Sequence, residues 1–316
     1  MFKLKLKNIF EKIFYQKIWR IGFVNQSISS INLDKYSITW FKNSPKYFSF
    51  FADPFHCKIN DIDYLFFEEY SFITRRGKIA IAQINNDKLI NKKILLDNKH
   101  LSYPSIIVAE NCKYFICESY KIKKLLLYKL DEKNLELIFV KEIFSDSEAI
   151  DPTILLYQQK YWLFYTKAKD PNKDLYLCYS DNLLQEFTQH PQNPVKQTLS
   201  SARPAGMPFY KDGKIYRPTQ YCNNFYGEKI IINEIKKLDI DNFEEQEFSQ
   251  ILPTKFHNMK YHKMLGIHTL SSFNEISIID GFFKIFFPLK FLVSLMRILK
   301  KILSIKNFLD RMKRNK

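Results

Sequence analysis

Short apolar runs of about six residues recur through the middle of the chain, and polar turn-forming pairs precede them, a pattern that predicts β-strands rather than helices. YLFFEE from Tyr64, YFICES from Tyr114, YWLFYT from Tyr161 and IYRPTQ from Ile215 form one such series, with Asn60-Asp61 and Asp212-Gly213 as turn pairs ahead of two of them. A further run follows each of the first three: KIAIAQI from Lys78, LLLYKL from Leu125 and LYLCYS from Leu175, while ELIFVKEIF from Glu136 adds a fourth strand to its unit. Upstream of the first series lies a shared motif. It reads FADPF at Asp53, LSYPS at Tyr103, AIDPT at Asp151, SARPA at Arg203 and GIHTL at His268, with spacings of 50, 48, 52 and 65. The first four place a polar or aromatic residue directly before proline; the fifth has Thr269 there.

A repeat of this length with about four strands per unit is the arithmetic of a propeller, since β-solenoid periods are much shorter and helical repeats are not so aromatic. Five units predict an all-β, five-bladed β-propeller over residues 19–281, with each motif on the innermost strand of its blade. Residues 1–18 read as a basic amphipathic extension and 282–316 as a basic amphipathic helix. In the latter, Ile285, Leu289, Leu292, Met296, Leu299 and Leu303 recur at helical spacing, while Lys290, Ser294, Arg297 and Lys301 line another face. Pro288 and these charges break the segment below the roughly 18 apolar residues of a membrane span. It suits a helix lying in an anionic membrane interface, or one packed on the protein itself.

Charge sharpens this picture. The net charge of the 316-residue chain is +16, yet residues 1–20 carry six Lys or Arg against Glu11, and residues 282–316 carry ten against Asp310. The body is left almost neutral and lacks the basic footprint that phosphate-backbone binding requires, so no nucleic-acid partner is expected. At 46% hydrophobic and 16% aromatic residues, the chain can fill a large core. Five cysteines without a C-x-x-C pair fit neither a zinc site nor a disulfide scaffold and point to a reducing, cytoplasmic setting, and the basic amphipathic C-terminal segment adds the expectation of a peripheral position at the inner face of the membrane. No secretory signal is read at the start, because Lys and Glu interrupt its apolar residues.

In a five-bladed propeller the inner strands converge on a narrow channel, which would bring Asp53, Tyr103, Asp151, Arg203 and His268 round a common ligand. Aligning the second strands adds Glu68 and Glu118 at matching positions, with Arg217 and Gln220 on that strand of the fourth blade. Asp before Pro is also a common turn element, and Asp–Arg pairs can simply tie blades together. A set this rich in ionisable types nevertheless reads as a site. The histidines show no H-x-x-x-H or H-E-x-x-H spacing, so no metal is expected. Asp61-Ile62-Asp63 has D-x-D spacing but reads as a solvated turn, and no glycine-rich phosphate loop occurs, so no cofactor is expected. Cys117 reads as a buried strand residue rather than a nucleophile.

The succession FADPF, LFFEEY, RGKIAIA, LSYPSI, CESY, DPTI, WLFYT, HPQNPV, SARPAG, YRPTQ, YGEKIIINEI, HTL and DG, from Trp19 to Gly281, resembles bacterial relatives of the N-terminal domain of plant glucosamine inositolphosphorylceramide transferase, a type grouped with glycoside hydrolase family 43-like five-bladed propellers. The resemblance implies carbohydrate chemistry in the assembly of a surface or lipid-linked glycan. It implies a general base at Asp53 and an orienting aspartate at Asp151. The acid of family 43 would fall in the fourth blade, where this chain has Arg203, Arg217 and Gln220; Glu118, from another blade, is the candidate acid in its place. Tyr103, Arg203, Arg217, Gln220, His268 and Glu68 are the candidate substrate-binding residues. Guanidinium groups suit an anionic or nucleotide-linked sugar. A glycosyltransferase at the cytoplasmic membrane face is therefore the leading expectation, with a family 43-type hydrolase and a non-catalytic glycan-binding or scaffolding propeller as alternatives.

Overall fold

The sequence runs fold as strands because their turn chemistry and their apolar faces agree. In the computed structural model, which describes residues 9–28, 37–145, 147–253, 262–273, 276–299 and 301–302, the first and second strands of four blades join through two-residue turns. Asn60-Asp61, Glu110-Asn111, Gln158-Gln159 and Asp212-Gly213 all have positive φ at both positions, the geometry that matches the twist of a hairpin. The first blade comprises Ser49–Ile59, Ile62–Ser71, Arg76–Asn85 and Lys88–Leu96, and the second Ser102–Ala109, Cys112–Glu118, Leu125–Asp131 and Glu136–Phe144. Ala149–Tyr157, Lys160–Lys167, Asp174–Ser180 and Thr188–Gln189 form the third; Phe209–Lys211, Lys214–Tyr221, Lys229–Leu238 and Phe243–Ile251 form the fourth.

The last blade closes the ring with both ends of the chain. Ile276–Phe286 pairs on its inner side with Met264–Gly266 and Leu270–Phe273, and on its outer side with Tyr15–Val24, which pairs in turn with Thr39–Trp40. The long pairing from Tyr15↔Phe286 to Val24↔Ser277 joins the termini and leaves the ring without an open seam. The chain is thus an all-β, five-bladed β-propeller. Its closing strands reach past residues 19 and 281, the limits read from the repeat, because a strand borrowed from the far end of the chain carries no repeat signal of its own.

Apolar seams fill the spaces between successive blades. Phe55, Phe66, Tyr103 and Phe115 join the first two, Ile116, Leu127, Ile154 and Leu163 the next two, and Trp162, Phe164, Ile215 and Ile235 the third and fourth. Each such large side chain removed from water contributes roughly 1.5–3 kcal/mol. The cysteines are free, and Cys117 is a buried strand residue whose thiol burial pushes well up.

Residues 9–14 and 290–299 are helical. Of the apolar stripe expected in the C-terminal segment, Ile285 belongs to the closing strand and is fully buried, while Leu289, Met296 and Leu299 are exposed. Val293 is the helix residue that enters the core. Lys3, Lys5, Lys7, His257 and Leu303 lie outside the described residues.

Candidate functional site at the channel end

The inner strands of the first three blades share one irregularity. Their ladders skip between Ala52 and Phe55, between Ser102 and Ser105, and between Ile150 and Thr153. At each skip the residue before proline has a left-handed backbone: Asp53 at φ 51°, Tyr103 at 49° and Asp151 at 47°. Proline has no N–H to give the ladder, so the strand bulges there, and at Asp53 and Asp151 the preceding side chain is turned out of the sheet face towards the cavity. In the fourth blade Pro204 makes only an isolated bridge to Thr219 before the inner strand resumes at Phe209. In the fifth, His268 sits in the break between Met264–Gly266 and Leu270–Phe273, so that interruption needs no proline.

These interruptions build a cavity of about 180 Å³ at one end of the channel. Asp53, Glu68, Glu118, Asp151, Arg203 and His268 line it, together with Trp19, Phe50, Tyr70, His100, Ser102 and Tyr226. A belt of hydrogen bonds runs from blade to blade beneath it. Asp280 Oδ2 accepts the Asp53 N–H (3.0 Å), Asp53 Oδ2 accepts the Tyr103 N–H (3.1 Å), and Glu118 Oε2 accepts the Asp151 N–H (3.3 Å). Asp151 Oδ2 receives Arg203 Nε at 2.6 Å and Gln220 Nε2 at 2.8 Å. Arg203 also donates to Asn172 and lies over the Tyr226 ring at 4.6 Å.

Charge is unbalanced here. Burial, followed by the neighbouring Asp53 and Glu118, holds the Glu68 carboxyl well above the usual range, and its Oε1 has no hydrogen-bond partner. Burial and then Asp151 likewise raise Glu118, against the lowering pull of Arg203. Asp53 is pushed up to about 6 by burial, with His268 opposing and Asp151 and Asp280 adding to the rise. Burial would lower His268, but Asp280 and then Asp53 outweigh it and hold the imidazole above its ordinary value. Its Nδ1 lies 2.7 Å from Asp280 Oδ1, its Nε2 3.3 Å from Asp53 Oδ1, and its ring stacks on Trp19 with centroids 3.8 Å apart. Carboxyls held well above their usual range keep a proton more tightly and can act as acids, and one poised at about 6 can act as a base.

Three of the expected binding residues stand elsewhere. Tyr103 is wholly buried and turns its ring against Phe55; its hydroxyl meets Thr153 at 3.0 Å and accepts the Gly206 N–H at 2.7 Å, so it plugs the channel and does not line the cavity. Arg217 pairs with Glu245 through Nε at 2.9 Å and Nη2 at 2.6 Å, and its Nη2 also donates to the Ser201 carbonyl. Alternate strand residues face opposite ways, so Arg217 and Gln220, three apart, could not both face the channel. Gln220 holds Asp151 from behind.

Other residues carry no repeat signal and were not foreseen. Asp280 gathers His268, Thr269 and Asp53, yet lies 12 positions after its motif where Glu68 and Glu118 lie 15 after theirs. Trp19 comes from the N-terminal strand, and His100 and Tyr226 come from loops. His100 Nδ1 accepts the Gly77 N–H at 2.8 Å, which leaves Nε2 to carry the proton, and burial followed by Lys121 lowers its pKa to about 4. Gly77 is obligatory here: a Cβ there would meet the Leu101 backbone carbonyl at 2.4 Å as well as Glu68 Oε1 at 2.0 Å. Asp53, His268 and Asp280 bring donor atoms within 4.8 Å of one another, close enough for a cation. Sequence-local spacing could not reveal this trio; its atoms mostly bond one another, through His268 and Thr269.

The five-bladed architecture is a propeller fold shared with solved glycoside hydrolases. It is similar to a family 117 glycoside hydrolase from the marine bacterium Zobellia galactanivorans, with a TM-score of 0.53 and 13% identity over 86% of this chain and 91% of that one. It is also similar to a thermostable family 43 glycoside hydrolase, at a TM-score of 0.52 and 13% identity over 75% of this chain and 93% of the other. At such identities the likeness shows the fold alone.

The family is given by the sequence: the chain belongs to the glucosamine inositolphosphorylceramide transferase 1, N-terminal family, whose model matches residues 37–282. It is 31% identical over 248 residues to glucosamine inositolphosphorylceramide transferase 1 of Oryza sativa subsp. japonica, covering 74% of this chain and 33% of that protein. With the Arabidopsis thaliana protein of the same name it shares 32% over 257 residues, covering 76% and 33%. The chain therefore spans about a third of the length of these relatives. They are plant proteins and lend nothing to the bacterial origin expected above.

Proposed function

We propose that this chain is a carbohydrate-active propeller of surface or lipid-linked glycan assembly, a glycosyltransferase acting at the cytoplasmic face of a membrane. The observation that carries this reading is the cavity itself, where buried carboxyls raised well above their usual range, one guanidinium and the rings of Trp19, Phe50, Tyr70 and Tyr226 converge. Aromatic faces suit the apolar side of a sugar ring, and carboxylates suit its hydroxyls. The space of about 180 Å³ holds one sugar rather than a long chain. The name of the plant relatives pairs a sugar with a phosphate-bearing lipid, which fits Arg203 as the group that meets phosphate. Free cysteines suit a reducing compartment.

In this reading Asp53 takes the proton of the acceptor hydroxyl as that oxygen bonds to the sugar's anomeric carbon. The bond to the leaving oxygen breaks, and Arg203 stabilises the charge that leaves with a phosphate. Asp151 orients Arg203, and Gln220 fixes Asp151. Glu118, in its protonated form, is the group that would serve a leaving oxygen that needs a proton.

That last point favours a second reading, hydrolysis of the family 43 type, in which water replaces the acceptor and Glu118 protonates the leaving sugar. The non-catalytic alternative draws on the fact that two thirds of each plant relative lies beyond the matched region. Calorimetric titration of the purified chain with uridine diphosphate N-acetylglucosamine and with acidic oligosaccharides, followed by product analysis, separates the three. Saturable binding with transfer to an added acceptor supports the first, release of free sugar the second, and binding without turnover the third. No binding of any sugar would overturn the reading.

A further inference from the structure

We propose that the two terminal helices form a docking site for an anionic phospholipid bilayer, with a four-lysine basin between them taking the lipid phosphate. Helix 9–14 and the start of helix 290–299 are fastened to each other: Lys290 Nζ donates to the carbonyls of Lys12 (2.8 Å) and Tyr15 (2.6 Å), and the Phe287 N–H donates to the Phe14 carbonyl (2.6 Å). Beside this junction lies a depression of about 410 Å³ lined by Lys12, Lys17, Lys284 and Lys290. Glu11 is the one carboxylate lining it, and it is already paired with Lys284. Burial, then the like charges of Arg297, Lys284 and Lys17, lowers the Lys290 pKa, a repulsion that a bound anion would relieve.

The apolar surface next to the basin is left uncovered by the described residues. Phe291, Leu295 and Ile298 recur on one face of the C-terminal helix and are 58%, 47% and 57% exposed, and Ile302 beyond it is 56% exposed. Val293 and Arg297, on the opposite side, attach it to the body, the latter by donating from Nε to the Phe72 carbonyl at 2.7 Å. On the N-terminal helix Ile9, Phe10 and Ile13 are exposed as well. A bare apolar face rimmed by lysines matches an interface of acyl chains beneath anionic headgroups. A protein groove would more commonly bring carboxylates of its own.

The placement has a consequence for the cavity. Glu68 and Tyr70 line it from the strand Ile62–Ser71, and the next residue, Phe72, is the one the helix holds. The helix is therefore anchored two residues along the chain from the cavity-lining Tyr70, which brings a docked bilayer towards the cavity. The inference rests on the membrane-face part of the proposed function and deepens it by naming the lipid and the residues that meet it; it can fail while the sugar chemistry of the cavity stands.

Flotation of the full chain with phosphatidylglycerol vesicles, against phosphatidylcholine vesicles of the same size, is the test. The chain should float with the former and much less with the latter. Two double variants, F291E/I298E and K12E/K17E, should each lower the bound fraction at least about tenfold, while leaving sugar titration in the cavity unchanged. Equal binding to both vesicle types, binding to neither, or either variant floating as the unaltered chain does would overturn the proposal.

Discussion

Two arginines, each directly followed by proline, lead opposite lives. Arg217 and Glu245 are both about 1% exposed and sit beside Lys196, whose Nζ is 2.7 Å from Glu245 Oε1. Burial would raise Glu245, but Arg217 and then Lys196 outweigh it and hold the carboxyl below its usual range. Arg203 faces as much negative charge as it can answer and more: Asp151 is its direct partner, while Glu118, Glu68 and Asp53 line the same cavity and are pushed up. Similar burial thus gives opposite directions. A fully paired cluster ties strands together, whereas an excess of carboxyls is a cost to folding that a ligand or a proton must relieve, which marks the channel end as the site.

The sharpest break between the two regions should come from Asp53→Asn. Turnover should fall about 10²–10⁴-fold with sugar binding changed by only a few-fold, because the shape remains while the base is lost. Since the basic form fills as pH rises through about 6, kcat/KM of the unaltered chain should rise through that pH, and this limb should vanish in the variant. A steady-state pH profile of both checks it.

Arg217→Met tests the other side. It leaves a buried carboxylate answered by Lys196 alone, and urea unfolding should show a loss of about 3–5 kcal/mol, with sugar affinity of the folded fraction unchanged. Arg203→Met should act on both quantities, since Arg203 has protein partners of its own in Asp151 and Asn172.

The smallest effect concerns Glu68. Its folded pKa lies above the ordinary 4.5, so its contribution to stability is present below that pH and is lost as pH rises towards the folded value. Glu68→Gln removes that loss and should stabilise the chain by about 1–2 kcal/mol at neutral pH, with little change at about pH 4. Urea titrations at the two pH values decide it.

How much of this was legible follows from what a repeat encodes. Period and turn pairs place Cα positions, and rotation about the channel axis carries Asp53, Asp151, Arg203 and His268 to one end of the channel, with Glu68 and Glu118 a strand away. Side-chain direction is a separate matter. Tyr103 occupies a motif position, yet its ring turns into the seam beside Phe55, and Arg217 was counted with Gln220 although strand alternation puts them on opposite faces. Trp19 and Tyr226 reach the cavity from a borrowed strand and a loop, which no period describes. Deleting everything from residue 283, a natural cut if the C-terminal segment were only a tail, would remove the end of the closing strand with Phe283 and Ile285, and the ring should not survive it.

The most direct test of the contrast between the two clusters is one calorimetric experiment: titration of uridine diphosphate N-acetylglucosamine, or of whichever acidic glycan binds more tightly, into the unaltered chain, Arg203→Met and Lys196→Met. Lys196 belongs to the paired cluster, and its replacement leaves Glu245 with Arg217. The expected result is saturable binding that weakens at least about tenfold in Arg203→Met, as loss of a charge-assisted contact implies, and stays unchanged in Lys196→Met. Equal affinity in all three proteins, or a loss in Lys196→Met as large as in Arg203→Met, would contradict the assignment of the channel end as the sugar site.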